Sequence, residues 1–234
     1  MRFSSPLIPG RLIKRYKRFL SDIELENGEV VTAHCANPGS MLGCNAPGAE
    51  VLLSKSSNPK RKLQYSWELV KVGRSWVCIN TALPNAIVRE AIENEKIPEL
   101  SGYDSLKPEV KYGENSRVDL LLTFGGQLCY VEIKSVTLAS GRVAQFPDSV
   151  TARGTKHLNE LARMVEEGHR AVMFFLVNRG DCNCAEPAAH IDPVYAETLA
   201  AAAEAGVEIV AYRSKVGKAG ISVKDKIPFR LKTS

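Results

Sequence analysis

The stretch RVDLLLTFGGQLCYVEIKSV, residues 117–136, decides how this chain is read. Gly125-Gly126 is a two-residue loop of the kind that closes a primed-turn hairpin, so the stretch predicts two antiparallel strands. With that loop, paired residues sum to 251 and Asp119 lands opposite Glu132. Side chains alternate between the two faces of a strand. One face then carries Val118, Leu120, Leu122, Cys129, Val131 and Ile133, an apolar set that can pack on a helix. The other carries Arg117, Asp119, Glu132 and Lys134.

Carboxylates directly opposite on a sheet repel, with Cβ atoms about 4.5–5.5 Å apart. A hard divalent cation between them removes that repulsion, and Mg²⁺ typically sits on one or two carboxylates plus water and substrate phosphate. Lys134, two residues past Glu132 on the same face, is then placed to orient the water that a metal acidifies. A checkerboard accounts for the same residues: Asp119 diagonal to Lys134 and Arg117 diagonal to Glu132, neutralising one another on a solvated face. The hairpin alone leaves both readings open.

The chain has 234 residues, enough for one large domain or two ordinary ones, and its 44% hydrophobic content supports a packed core. Its longest uninterrupted apolar run, residues 171–177, is far too short to span a bilayer, and MRFSSPLIPG lacks the apolar segment of a secretory signal. A cytoplasmic protein is expected. Its six cysteines are then expected to be reduced and mostly buried; Cys182-x-Cys184 is not a zinc or redox spacing, and no second Cys/His pair completes a site with His34, Cys35 and Cys44.

Charge is unevenly spread: residues 1–80 carry a net +6 and residues 81–234 a net −1. A basic first third suggests a polyanion-binding module, because Lys and Arg contacts to phosphate dominate nucleic-acid affinity. That third reads as all-β. Residues 11–25 form an alternating basic and apolar run, Glu26-Asn27-Gly28-Glu29 holds a turn signal, and strands follow at 30–35, 51–54, 64–72 and 76–80. Five short strands curled by Gly and Pro suit a small OB-type barrel, which commonly binds oligonucleotides. Its basic residues Arg11, Lys14, Arg15, Lys17, Arg18, Lys60, Arg61 and Lys62 are the candidate nucleic-acid contacts. Tyr16, Phe19, Tyr65, Trp67 and Trp76 either stack on bases or line the barrel core.

From Leu83 the pattern changes, placing an OB-like domain in residues 1–82 and a second domain in 83–234. Residues 85–96 read as a helix with Ile87, Ala91 and Ile92 on an apolar stripe, Val88 beside it and Glu90 next to it. Residues 101–113 read as a connection, 139–147 and 180–190 as loops. Residues 151–167 read as an amphipathic helix, with Leu158, Leu161, Ala162 and Val165 inward and Arg153, Lys156, His157 and Glu160 on the polar side. Residues 170–177 suit a strand covered on both faces, 193–205 a helix and 207–212 a strand. The order gives an α/β mixed sheet without a phosphate-binding glycine loop.

Placed in this order, Asp119 and Glu132-Ile133-Lys134 resemble the signature of the PD-(D/E)XK nuclease-like fold, an acid on one core strand and (D/E)-x-K on the next. The resemblance implies a helical acid before the first strand, matched by Glu90. It also implies a polar or basic residue on the helix after the hairpin, matched by Lys156 and next by His157. Val118 stands where the fold's name has Pro. RYKRFL (15–20), HCANPGSM (34–41), ELSGYDSLKPEVKYG (99–113), SRVDLLL (116–122), VEIKSVTL (131–138) and FPDSVTARGTKHLNEL (146–161) further resemble the sugar fermentation stimulation protein A family over nearly the whole chain. That resemblance implies an OB-like domain, a nuclease-like domain, nonspecific DNA binding and a regulatory link to maltose metabolism in a bacterial cytoplasm. It raises the metal reading above the checkerboard.

Two functions follow as expectations. The first is a DNA-binding protein on a nuclease scaffold. The second is a phosphodiesterase in which Asp119, Glu132 and the Ile133 carbonyl hold Mg²⁺ or Mn²⁺, Lys134 positions water, and Glu90 helps a second ion. A carbohydrate-binding regulator ranks below both, because no residue pattern marks a sugar pocket.

Overall fold

Alternation with a buried set every second residue builds the first part of the computed structural model, which describes residues 1–113 and 116–231. Strands β1 (Ile8–Tyr16), β2 (Leu20–Leu25), β3 (Val30–Cys35), β4 (Glu50–Lys55) and β5 (Tyr65–Val72) pair in the cycle β1-β2-β3-β5-β4-β1, with β3 and β5 parallel at the closure. This is a closed five-stranded OB barrel, and β6 (Ser75–Cys78) extends β5 at its edge. Leu12, Ile23, Val31, Ala33, Leu53 and Trp67 fill it. The run at 11–25 is two strands rather than one. Lys17 (φ 46°) and Arg18 (φ 65°) turn the chain in the left-handed region. Neither is the Gly or Asn that usually marks such a turn, so the alternation read straight through it.

A proline begins helix α1 (Pro84–Glu93), where its missing N–H costs nothing. Ile87, Val88, Ala91 and Ile92 are all buried, as expected. Strand β7 (Ser105–Tyr112) follows, in the stretch expected to be a connection; it is an edge strand, charged and holding Pro108, so it lacks a core strand's pattern. The hairpin is β8 (Ser116–Phe124) and β9 (Gln127–Val136), turned by Gly125 (φ 55°) and Gly126 (φ 89°). Its pairs run from Phe124↔Gln127 to Leu120↔Val131, each summing to 251.

The expected loops hold short strands, β10 (Leu138–Ser140), β11 (Val143–Phe146) and β13 (Cys184–Pro187), which form a small sheet beside the main one. Helix α2 (Ala152–Glu166) is capped by Thr151, whose hydroxyl accepts from Gly154 N. Strand β12 (Arg170–Val177) is buried almost throughout, helix α3 (Pro193–Glu204) is capped by Asp192, and β14 (Glu208–Gly217) and β15 (Gly220–Lys226) end the sheet. β15 shows no strand pattern in the sequence, because Gly220–Lys226 carries three charged residues against two apolar ones.

The main sheet has the order β15-β14-β12-β9-β8-β7. β12 runs parallel to β9 and β14, and the outer pairs are antiparallel. Helix α1 covers one face over Leu120, Leu122, Val131, Ile133 and Phe174. Helices α2 and α3 cover the other over Tyr130, Met173 and Phe175. At about 1.5–3 kcal/mol for each fully buried large apolar side chain, these two layers dominate the domain's stability. All six cysteines are buried and unpaired. Among the described residues no helix is long and apolar enough to cross a membrane.

Candidate metal centre and nucleic-acid cleft

The hairpin ladder opens one step beyond Leu120↔Val131, where Asp119 faces Glu132. Asp119 uses its side chain in place of a backbone pair: Oδ2 accepts from Ile133 N at 2.7 Å and Oδ1 from Asn85 Nδ2 at 2.8 Å. The strand rotates here. Val118 joins the α2-side core with Tyr112 and Tyr130, not the α1-side core that holds Leu120 and Leu122, so the alternation expected for Val118 fails at Asp119. Across the sheet Glu109 stands opposite Asp119, between the pairs Pro108↔Leu120 and Val110↔Val118, with φ 51°.

Glu132 is 3% exposed and faces helix α2. Its Oε1 accepts from Lys134 Nζ at 2.7 Å and also contacts His157 Nδ1. Burial pushes the Glu132 carboxyl up, yet the His157 hydrogen bond and the Lys134 charge outweigh it and hold the group below its ordinary range. Asp119 goes the other way: burial and the neighbouring Glu132 charge raise it, against the Ile133 and Asn85 hydrogen bonds. His157 Nδ1 meets the Glu132 carboxylate, and its other ring nitrogen, Nε2, faces Arg153 Nε at 3.4 Å.

The second oxygen, Glu132 Oε2, is buried without a hydrogen-bond partner, as are both oxygens of Glu160 and the Tyr112 and Tyr195 hydroxyls. A buried carboxylate oxygen left bare costs several kcal/mol unless an ion or proton meets it. Among the described residues no group of three or more His, Cys, Asp and Glu side chains is arranged to hold an ion alone.

The cluster thus joins Asp119, Glu132, Lys134 and Ile133. It leaves out Glu90, whose carboxylate is half exposed and paired with the Met1 amine. Helix α1 crosses from β8 and β9 toward β15, so its first turn, not its second, meets Asp119. Asn85 occupies the place expected of Glu90. Lys156 is also left out: it projects outward at 50% exposure and pairs with Glu160 Oε1 at 3.6 Å. His157, one residue on, turns inward. His157 and Glu160, expected on the polar side of the helix, are both buried against the sheet. Nothing in periodicity separates a buried polar residue from a solvated one, so only the position of Glu132 across from them marks these two.

Asn85, Ile133 and Lys134 line a cleft of about 710 Å³ that also touches Arg18, Asn37, Pro38 and Gly39 of the barrel and the 145–151 segment. Its barrel wall is fastened twice. Arg15 donates to the carbonyls of Asn37 (2.8 Å), Gly39 (2.9 Å) and Ser40 (3.3 Å), and Asp148 accepts from Met41 N at 2.8 Å. Gly39 packs on the Asp148 carboxylate, where a Cβ would come within 2.6 Å.

The remaining basic candidates divide. Lys17, Arg18, Lys60 and Lys62 are exposed, in the β1–β2 turn and the β4–β5 loop. Arg15 is committed to the carbonyls just named and to Arg18 O. Arg61 donates to Ser66 Oγ at 2.8 Å. Lys14 pairs with Asp22 at 3.7 Å over the Tyr16 ring, and Arg11 borders a separate hollow with Glu24, Glu50 and Trp76. Of the aromatics, Trp67 is core, Tyr16, Tyr65 and Trp76 are partly buried, and Phe19 is 43% exposed.

An OB barrel joined to a mixed sheet with an acid on one strand and Glu-x-Lys on the next defines a two-part protein, an OB domain followed by an α/β domain. Residues 13–79 match the family described as SfsA N-terminal OB domain, and residues 82–220 match the sugar fermentation stimulation protein RE domain. A sugar fermentation stimulation protein homolog of Geotalea uraniireducens is 56% identical over 231 residues, 99% of this chain and all of that one. One from Marinomonas sp. is 55% identical over 236 residues, covering 100% of this chain and 92% of that one. The solved structure of Pyrococcus furiosus SfsA in complex with Ca²⁺ superposes with a TM-score of 0.90 over 98% of each chain at 28% identity. The chain belongs to the sugar fermentation stimulation protein family.

Proposed function

We propose that this chain is a DNA-binding protein whose cleft carries a divalent-cation site equipped to hydrolyse phosphodiesters. The observation that carries the reading is Glu132: a buried, ionised carboxylate with one oxygen fixed by Lys134 and His157 and the other bare, across from Asp119. The donor set fits Mg²⁺ or Mn²⁺. Asp119, Glu132 Oε2 and the Ile133 carbonyl are hard oxygens, and so few protein ligands leave room for water and phosphate. That the Pyrococcus furiosus relative was solved with Ca²⁺ supports a divalent site in this fold.

When bound, the ion supplies Lewis-acid polarisation of the phosphate and an acidified water. The protein's residues do the rest. Asn85 and Ile133 N–H fix the Asp119 carboxylate. His157 and Lys134 lock the Glu132 rotamer, so that no reorganisation is needed as charge develops. Lys134, which lines the cleft, holds the attacking water and offsets phosphate charge. Residues 1–82 supply nonspecific affinity through their exposed lysines and arginines, and residues 83–234 supply the chemistry. Any role in maltose metabolism then acts through DNA, in the cytoplasm.

The test is incubation of labelled DNA with the protein and Mg²⁺ or Mn²⁺, beside Glu132→Ala and Lys134→Ala. Metal-dependent cleavage lost in both variants is expected. Cleavage that persists in both, or that needs no metal, contradicts the assignment.

A further inference from the structure

The two basic loops of the barrel flank β3 on opposite sides. In the strand register Leu20 of β2 pairs with His34 of β3, and His34 pairs with Ser66 of β5. The turn at Lys17–Phe19, just before antiparallel β2, runs on past the end of β3, and the 56–64 loop holding Lys60 and Lys62, just before parallel β5, runs back from Ala33 toward its start. Cys35 N donates to Phe19 O at 2.9 Å, and the Phe19 ring stacks on His34 with ring planes 20° apart. The β2–β3 face with its two flanking loops is the oligonucleotide surface of OB barrels in general. Asp22 on this face does not oppose a polyanion, because Tyr16 and Thr32 each donate to it at 2.9 Å and Lys14 pairs with it.

The chain leaves β3 directly into Asn37-Pro38-Gly39, the barrel wall of the cleft, and Arg18 lines the same cleft. A continuous path thus runs from Lys60 and Lys62, over Phe19 and His34, past Arg18, to Asn85 and Lys134. The cleft at its far end has a volume of about 710 Å³. Stacking a base on Phe19 needs a base with a free face, which a separated strand offers and a duplex does not.

We infer that the chain takes single-stranded DNA, with Phe19 as the base-stacking platform on the way to the metal centre. The inference rests on the DNA-binding reading above and adds its substrate class. Phe19 is exposed, so Phe19→Ala removes a stacking surface and little core.

The experiment is fluorescence anisotropy at fixed salt with a short labelled oligo-dT strand and with a duplex of equal length. Wild type is compared with Phe19→Ala, Phe19→Trp and the double change Lys60→Ala, Lys62→Ala. Wild type is expected to bind the single strand at least about tenfold more tightly than duplex. Phe19→Ala should weaken single-strand binding about tenfold and leave duplex binding unchanged, and Phe19→Trp should restore it. The double lysine change should flatten the salt dependence of binding to both. Duplex bound as tightly as single strand, or Phe19→Ala without effect, overturns the inference while leaving DNA binding intact. Binding to neither probe by a protein with an unchanged melting curve overturns both.

Discussion

Glu109→Gly is predicted to stabilise the protein, although it removes a charged residue from a strand. Glu109 holds φ 51° opposite Asp119, a left-handed conformation that costs an L-residue about 1–2 kcal/mol. Glycine removes that cost and adds back about 0.5–1 kcal/mol of chain entropy. The exposed contact of Glu109 with Arg117, at 4.0 Å, contributes no more than about 0.5 kcal/mol. The balance favours glycine by about 0.5 kcal/mol, or about 1–2 °C in melting temperature for a chain of this size. Glu109→Ala keeps the backbone strain and loses only the ion pair, so it separates the two terms. Calorimetric melts of the three proteins should give Glu109→Gly above wild type and Glu109→Ala at or slightly below it. A glycine variant less stable than the alanine variant refutes the reasoning, because the turned backbone would then carry no strain for glycine to relieve.

Other outcomes follow from how the basic residues are used. Arg15→Ala should lower stability by about 2–3 kcal/mol, since it strips hydrogen bonds from the carbonyls of Asn37, Gly39 and Ser40. Arg18→Ala should leave the melting curve unchanged and weaken DNA binding, and chemical denaturation beside anisotropy reads both. Asp181→Asn should cost about 1–2 kcal/mol at neutral pH, because buried Arg179 loses the carboxylate that it binds through Nε and Nη2. The Arg179 hydrogen bond holds the Asp181 carboxyl below its ordinary range, so its contribution is full above the unfolded-state pKa. It is lost as pH falls through the folded value, so urea unfolding should show the gap to wild type closing in acid.

The central hairpin was legible because two glycines fixed its register, and alternation then brought Asp119 to Glu132. The barrel was legible strand by strand from β3 onward. Its first turn was not, because Lys17 and Arg18 are forced left-handed by the strands they join rather than by their own preference. Edge strands β7 and β15 escaped because a strand with one solvated flank and many charges has no apolar pattern to show. In the site, Lys134 followed from spacing along one strand. Asn85 did not, because the crossing of α1 over the sheet is a tertiary fact, and the same crossing carries Glu90 to the Met1 amine. His157 stood second to its neighbour Lys156; a helical step of about 100° separates the buried residue from the exposed one. What decided between them is Glu132, a buried charge that needs a donor from the helix covering it.

The most direct test of the cation site is calorimetric titration of the metal-free protein with Mn²⁺, beside Asp119→Asn and Glu132→Gln. The geometry predicts that wild type binds Mn²⁺ and melts at a higher temperature when loaded, and that both variants lose the binding and the shift. Mn²⁺ bound equally well by both variants, or not bound by wild type, contradicts a metal centre at Asp119 and Glu132.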